Sequence, residues 1–514
     1  MGILSLAMVT QAPAAPKGGI VYMMVNDLGT LDKLNLVGGT DTPVLLALYD
    51  AMTWADREGV DHPGVASGWR WIDDKTVEIK FKKGLVFHNG EPFTTEDYKT
   101  ATDKGYTKFA AKSGAMTVLK YVDKYEVVDD HTFIYRLKEP TATFLPRIVS
   151  NLSNSFLQPK DYIEKVGNKG YEKHPMGMGP YKFVDRVKGE HIKLTAWDKY
   201  TPKPWDGPIE VKDVKVIFVP ESETRQAMLR TGAGDIDEMV LPKTAQEMEK
   251  TPDLKVLRVA PNQFIQFNIN TAVKLIPGTK IKSPFLDINV RKAINMAVDK
   301  KAIIDGIMMG YAPETPGPWN APVWGAAPET ITPYPYDPEK AKKLLKDANF
   351  PFDQQYDMVV YKTSPGAAES MEAVVGYLTE IGMKVNYKVV EVGTLMSWWQ
   401  NPTREQTYPF QFLRHQTNIT DPAGFTYYAW GTKRWLSVVW DEGLDKILAQ
   451  REKILDMGEA KLHYRKLYKY VHDNALTVPV YQDILLHGLG PKIDWWIPKG
   501  TIEPYGFERV TWRK

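Results

Sequence analysis

Apolar and polar residues alternate at period two around Trp71, Val77, Ile79 and Phe81, a pattern that predicts a half-buried β-hairpin. Gly84, the pair Asn89-Gly90 and Pro92 then mark tight turns, and Thr94-Thr95-Glu96-Asp97 offers hydroxyls and carboxylates able to cap a following helix. Further along, 211–219 reads as a strand. It is followed by a helix over 222–231 with Ser222 as a hydroxyl N-cap, closed by the glycines of 232–234. Residues 235–239 open the next strand and 264–270 form another alternating one. The stretch 287–309 reads as one long amphipathic helix whose apolar face holds Val290, Ala293, Ile294, Ala297 and Val298. Strands and helices mix irregularly, without an internal repeat or a low-complexity linker, so the fold class is α/β and most of these apolar residues are core.

At 514 residues the chain is long enough for two or three domains around large cores. Its 65 Lys plus Arg nearly cancel 63 Asp plus Glu, giving a net charge of +2. No global field draws it to nucleic acid or an anionic membrane. The absence of cysteine removes thiol catalysis, Cys-ligated zinc and disulfides, and suits an exported protein that must not misoxidise. Residues 1–16 hold a short apolar run and then Ala12-Pro13-Ala14-Ala15-Pro16. This reads as the remnant of a secretory signal peptide with small residues near its cleavage region, although a positive n-region is missing. No later run reaches the roughly 18 apolar residues of a membrane span.

Catalytic signatures are missing. The chain has no GxxxxGK[ST], HExxH or GxSxG, and its 9 histidines form no close pair at helical ligand spacing. Asp73-Asp74, Asp129-Asp130 and Asp235 with Asp237 stand in turn-like or helix-exit contexts, where a carboxylate ordinarily caps backbone. An exported enzyme stays as the alternative class.

As a string, PGVASGWRWIDDKTVEIKFKKGLVFHNGEPFTTEDY (63–98) resembles the signature of the family 5 solute-binding proteins, the peptide, opine and nickel receptors that feed ABC importers. Five further blocks follow in that family's order: MGMGPYKFVDRVKGEHIKLTAWDKY (176–200), GAGDIDEM (232–239), DINVRKAINMAVDKKAIIDGIMMGYA (287–312), PYDPEKAKKLLKDANF (335–350) and YRKLYKYVHDNALTVPVYQD (464–483). The resemblance runs from about residue 17 to the C-terminus.

It implies a two-lobed periplasmic-binding-protein fold of the larger type, non-catalytic and without a cofactor or metal, that closes on a small-molecule ligand by a hinge motion. Lobe I would be 17–262 plus 485–514, with an extra subdomain at about 50–180, and lobe II 263–484. The chain would cross between lobes near 262–270 and 480–483. The resemblance also implies a monomer in the periplasm whose partners are the membrane permease subunits of an ABC importer.

For the ligand site, peptide-binding relatives carry an aspartate three residues ahead of an acidic residue-Pro turn, where it pairs with the ligand's α-ammonium. Here the turn is Asp421-Pro422 and the matching residue is Asn418. A neutral amide cannot neutralise a buried cation, and leaving that charge unpaired costs several kcal/mol. Arg414 and His415 on the same strand, with Arg404 upstream, suit an acidic group, because arginine's planar fork binds carboxylate bidentately; an ion pair within the protein is the alternative role for Arg404 and Arg414. The resemblance places Gly39 and Thr40 in a first-lobe loop lining the cleft. Of the 15 tryptophans, Trp319, Trp324 and Trp398 are the aromatic groups placed beside it. At most one of Trp398 and Trp399 can face a pocket if the segment is a strand. The ligand expected is of the peptide or opine size class, with an oligosaccharide or a metal chelate as alternatives.

Overall fold

The computed structural model describes residues 15–32, 42–108, 121–149, 157–259, 263–276, 278–321, 323–361, 364–391, 394–395, 408–416, 422, 426, 429–434, 436–499 and 506–514. Its hub is the strand Lys17–Met24, which pairs in parallel with Val211–Phe218 on one side and Ile236–Asp237 on the other. Leu485–Leu489 and Lys255–Val259 extend this sheet in one direction, and His191–Ala196 and Tyr181–Val187 in the other, giving seven strands. The pleat sends Ile20, Tyr22 and Met24 into one apolar core and Met23 into another, so both faces are covered.

A second sheet of five strands runs in the order Lys384–Val390, Gln355–Tyr361, Phe410–Gln416, Gln263–Ile269, Thr477–Gln482. A third, antiparallel sheet orders Ala66–Asp73, Thr76–Phe81, Thr132–Leu137 and Val122–Asp129. The 71–81 hairpin expected from the alternation is its first pair. Val77, Ile79 and Phe81 are buried with Phe133 and Tyr135, while Trp71 is half-buried. The Asn89-Gly90 turn has Gly90 at φ +90°, a left-handed conformation that suits glycine. The helix Thr95–Lys108 follows, and the Thr94 N–H donates to Asp97 Oδ2 at 2.8 Å, so a carboxylate of the first turn reaches back to the residue that precedes the helix.

Three local expectations are corrected. The helix Ser222–Thr231 starts one residue earlier than its hydroxyl suggested: Glu221 is the N-cap, without a side-chain cap bond, and Ser222 is the first helical residue. Its end agrees with the sequence, Gly232 being left-handed and donating to Leu229 O. The long helix expected over 287–309 is two helices, Ile288–Ala297 and Lys300–Gly306. Val298 is extended and Asp299 begins again as an N-cap accepting from the Ala302 N–H, so a good cap wins over a continuous apolar face. The strand Gln263–Ile269 is buried on both faces rather than one, Gln266 and Asn268 included.

The two larger sheets meet at like edges. The chain leaves the seven-stranded sheet at Val259, enters the five-stranded sheet at Gln263, leaves it at Gln482 and returns at Leu485. Register places the C-terminal ends of Gln355–Tyr361, Lys384–Val390, Phe410–Gln416 and Thr477–Gln482 at the edge where these crossings run. On the other side, the C-terminal ends of Lys17–Met24, Val211–Phe218, Ile236–Asp237 and Lys255–Val259 share the facing edge.

Candidate functional site

The facing edges border the space between the sheets, the position at which open α/β folds bind ligands. Asp483, wholly buried, lies in the second crossing. Its N–H donates to Gln263 O at 2.8 Å, its Oδ1 accepts from the Ile484 N–H at 2.9 Å, and its Oδ2 lies 2.8 Å from Arg414 Nε. Arg414 comes from Phe410–Gln416 and stands opposite Ile265. Burial raises the Asp483 carboxyl above the ordinary aspartate range, and the charge of Arg414 opposes that shift. Arg414 therefore takes the ion-pair role held open for it, with a buried partner at the crossing.

The loop that carries Trp319 and Trp324 is anchored next to this pair. The Gln482 N–H donates to Pro313 O at 2.9 Å, and Asn320 Nδ2 donates to Glu314 O at 2.8 Å and Gln482 Oε1 at 3.1 Å. Trp319 is wholly buried, stacked on Trp430 with centroids 5.7 Å apart and meeting Tyr468 edge-on at 5.3 Å. Trp324 is half-buried. Gly325 has φ +75°, and a Cβ there would stand 2.1 Å from Tyr464 Cβ, so this loop lies tightly against the helix Met457–Asp473. The edge thus brings together Arg414 and the Trp319–Trp324 loop. His415 belongs to the same strand, opposite Phe264. Gly39, Thr40, Trp398, Arg404, Asn418 and Asp421 lie outside the described residues.

Sequence reasoning placed a crossing near Asp483 but gave the residue no role; an aspartate directly after the apolar run TVPVYQ was the available signal. The carboxylates passed over as catalytic pairs hold backbone or cations. Asp73 and Asp129 accept turn N–H groups from Lys75 and His131, each at 2.8 Å. Asp235 accepts from the Val21 N–H at 2.8 Å, and Asp237 takes Arg225 Nε at 2.7 Å and Gln226 Nε2 at 2.9 Å. Among the described residues no group of three or more His, Asp or Glu could hold a metal ion, and no helix is long and apolar enough to cross a membrane.

Two α/β lobes joined by two short crossings, with their carboxyl edges facing, define a ligand clamp. The profile of the bacterial extracellular solute-binding proteins, family 5, middle region, matches residues 62–437, and the chain belongs to this family. It is a solute-binding receptor for a small organic ligand, of the kind that serves ABC importers, and not an enzyme. Among relatives, it is 25% identical to Heme-binding protein A of Haemophilus influenzae, over 97% of this chain and 92% of the relative. It is 24% identical to the oligopeptide-binding protein AppA of Bacillus subtilis, over 93% and 92%. Among solved structures, the periplasmic binding protein DppA of Helicobacter pylori, in complex with the peptide STSA, superposes with a TM-score of 0.80, 23% identity and coverage of 97% and 98%.

Proposed function

We propose that this receptor works in the periplasm as a monomer and delivers a ligand of the peptide or opine size class to the permease subunits of an ABC importer. The observation that carries this reading is the meeting of two carboxyl sheet edges across two short crossings, with Arg414 and the Trp319–Trp324 loop anchored at that junction. Relatives named for heme and for oligopeptides support a site for organic molecules of that size. On this reading lobe I is 17–262 plus 485–514, with a subdomain at about 50–180, lobe II is 263–484, and residues 1–16 are a leader remnant.

Asn418 replaces the acidic residue that would hold an α-ammonium, so the preferred ligand lacks a free α-ammonium or has it blocked. Arg404, Arg414 and His415 receive an acidic group, Gly39 and Thr40 approach from the first lobe, and Trp324 and Trp398 supply apolar contact, with Trp319 behind them. Native mass spectrometry of the purified protein, followed by thermal-shift screening of peptides, opines, sugars and metal chelates, tests this. A ligand held only by the native clamp adds about 2.7 kcal/mol at a hundredfold excess over Kd. A full screen without retained mass or shift would count against the receptor's proposed ligand class.

A further inference from the structure

A second junction joins the lobes away from the crossings. The helix Phe144–Val149 belongs to the four-stranded unit: Phe144, Leu145, Ile148 and Val149 pack in one core with Val77, Ile79 and Phe133. The helix Glu442–Arg451 belongs to the five-stranded unit, where Leu444 and Leu448 share a core with Phe264 and Val359. Glu452 caps the C-terminus of that second helix, and Ala142-Thr143 leads into the first.

Three hydrogen bonds join them. Thr143 Oγ1 donates to Glu452 Oε2 at 2.6 Å, the Thr143 N–H reaches the same oxygen at 3.4 Å, and the Ala142 N–H donates to Glu452 O at 2.7 Å. Thr143 is 2% exposed, so little water is available to take over its hydroxyl while the units are together. A charge-assisted bond from a buried hydroxyl to a carboxylate is among the stronger polar contacts a protein surface can make.

We propose that Glu452 is a latch: its carboxylate fastens the four-stranded subdomain to the second lobe and thereby biases the clamp toward the shut state. Glu452 acts on ligand affinity through this equilibrium, without touching the ligand. Movement of one lobe away from the other has to break the three bonds, whereas the covalent crossings at Val259–Gln263 and Gln482–Leu485 stay intact. The proposal rests on the two-lobed receptor reading.

The chain has no cysteine, so Lys83→Cys on the subdomain and Lys461→Cys on the second lobe, both exposed, give one labelled pair. Inter-label distances by pulsed electron resonance, with no ligand added, then report open and shut populations directly. Thr143→Val keeps the shape and removes the hydroxyl, and Glu452→Ala removes the acceptor. Each should raise the open-to-shut ratio roughly tenfold, the loss expected for one charge-assisted bond. Thr143→Ser should restore the parent ratio, and melting curves confirm that each variant is folded. Two populations whose ratio ignores both substitutions would overturn the latch alone. One unvarying distance in the parent and every variant, at all temperatures tested, would overturn the latch, and the same single distance after addition of the ligand recovered from the native protein would overturn the hinge motion as well.

Discussion

Arg414 Nε and Asp483 Oδ2 stand 2.8 Å apart, one on a strand of the second lobe and the other inside a chain crossing. Because the Asp483 N–H also holds Gln263 O, one residue ties the second crossing to the start of the strand that follows the first. The two crossings therefore share one charged knot.

Asp483 has no exposed surface, while the Arg414 side chain is 22% exposed. Removing the carboxylate takes the counter-charge from a largely desolvated guanidinium and removes the anchor on the Ile484 N–H. Asp483→Ala should cost about 3 kcal/mol in urea unfolding, and Asp483→Asn, which keeps the backbone bonds, clearly less. Equal losses would show that the charge contributes nothing.

If Arg414 also meets an acidic group of the ligand, Arg414→Lys keeps the charge and loses the planar fork. Calorimetry with the ligand recovered from the native protein should show affinity falling at least tenfold in Arg414→Lys and further in Arg414→Ala, with melting checked for both. Equal affinity in all three proteins would confine Arg414 to its pair with Asp483 and favour a neutral ligand.

Asn418 makes a chemical prediction. Free di- and tripeptides should bind weakly by calorimetry, and any peptide that does bind should retain its affinity after N-terminal acetylation. Binding abolished by acetylation would mean that another carboxylate holds the ammonium.

Glu508 supplies a pH test. It is buried, and desolvation, only partly offset by Arg509 and reinforced by Asp206, pushes its carboxyl up to about 7. The folded state then holds this proton more tightly than the unfolded one. The contribution to stability is complete below the unfolded value of about 4.5 and is lost as pH rises to about 7. Glu508→Gln should therefore be more stable than the parent by about 3 kcal/mol at pH 8, and the difference should vanish below pH 4.5. A gap of constant size across that range would remove the ionisation argument.

Trp319 has one face against Trp430 and Tyr468 at its edge, so Trp319→Ala should cost about 3–5 kcal/mol in denaturant unfolding. A nearly neutral substitution would mean that the ring is not held in the core.

Much of this molecule was legible in its sequence, because strand alternation and turn chemistry are local. The hairpin at Trp71 to Phe81, the Gly232 stop and the order of the family's blocks needed only neighbours along the chain. Other features depended on distant residues. Nothing near Phe264 revealed that strands on both sides would bury Gln266 and Asn268, whereas the cap at Asp299 was local but competed with a continuous apolar face that reads as one helix. At the site, the arginine was legible as a guanidinium on the right strand. Its partner was not, because Asp483 lies 69 residues away and is brought alongside only by the strand Gln263–Ile269 between them.

The seven-stranded sheet takes its hub from residues 17–24 and one of its strands from 485–489. Near it, Arg509 holds Asp206 at 3.1 Å and the Ala55 carbonyl at 3.2 Å. The first half of the chain to leave the ribosome thus contains a sheet that lacks a member until Leu485–Leu489 is made, whereas every strand of the five-stranded sheet lies between Gln263 and Gln482. Synthesis from one end to the other leaves the amino-terminal half waiting, with its apolar strands uncovered, for a carboxyl-terminal strand. That is the state in which a chain can still be threaded through a secretion pore.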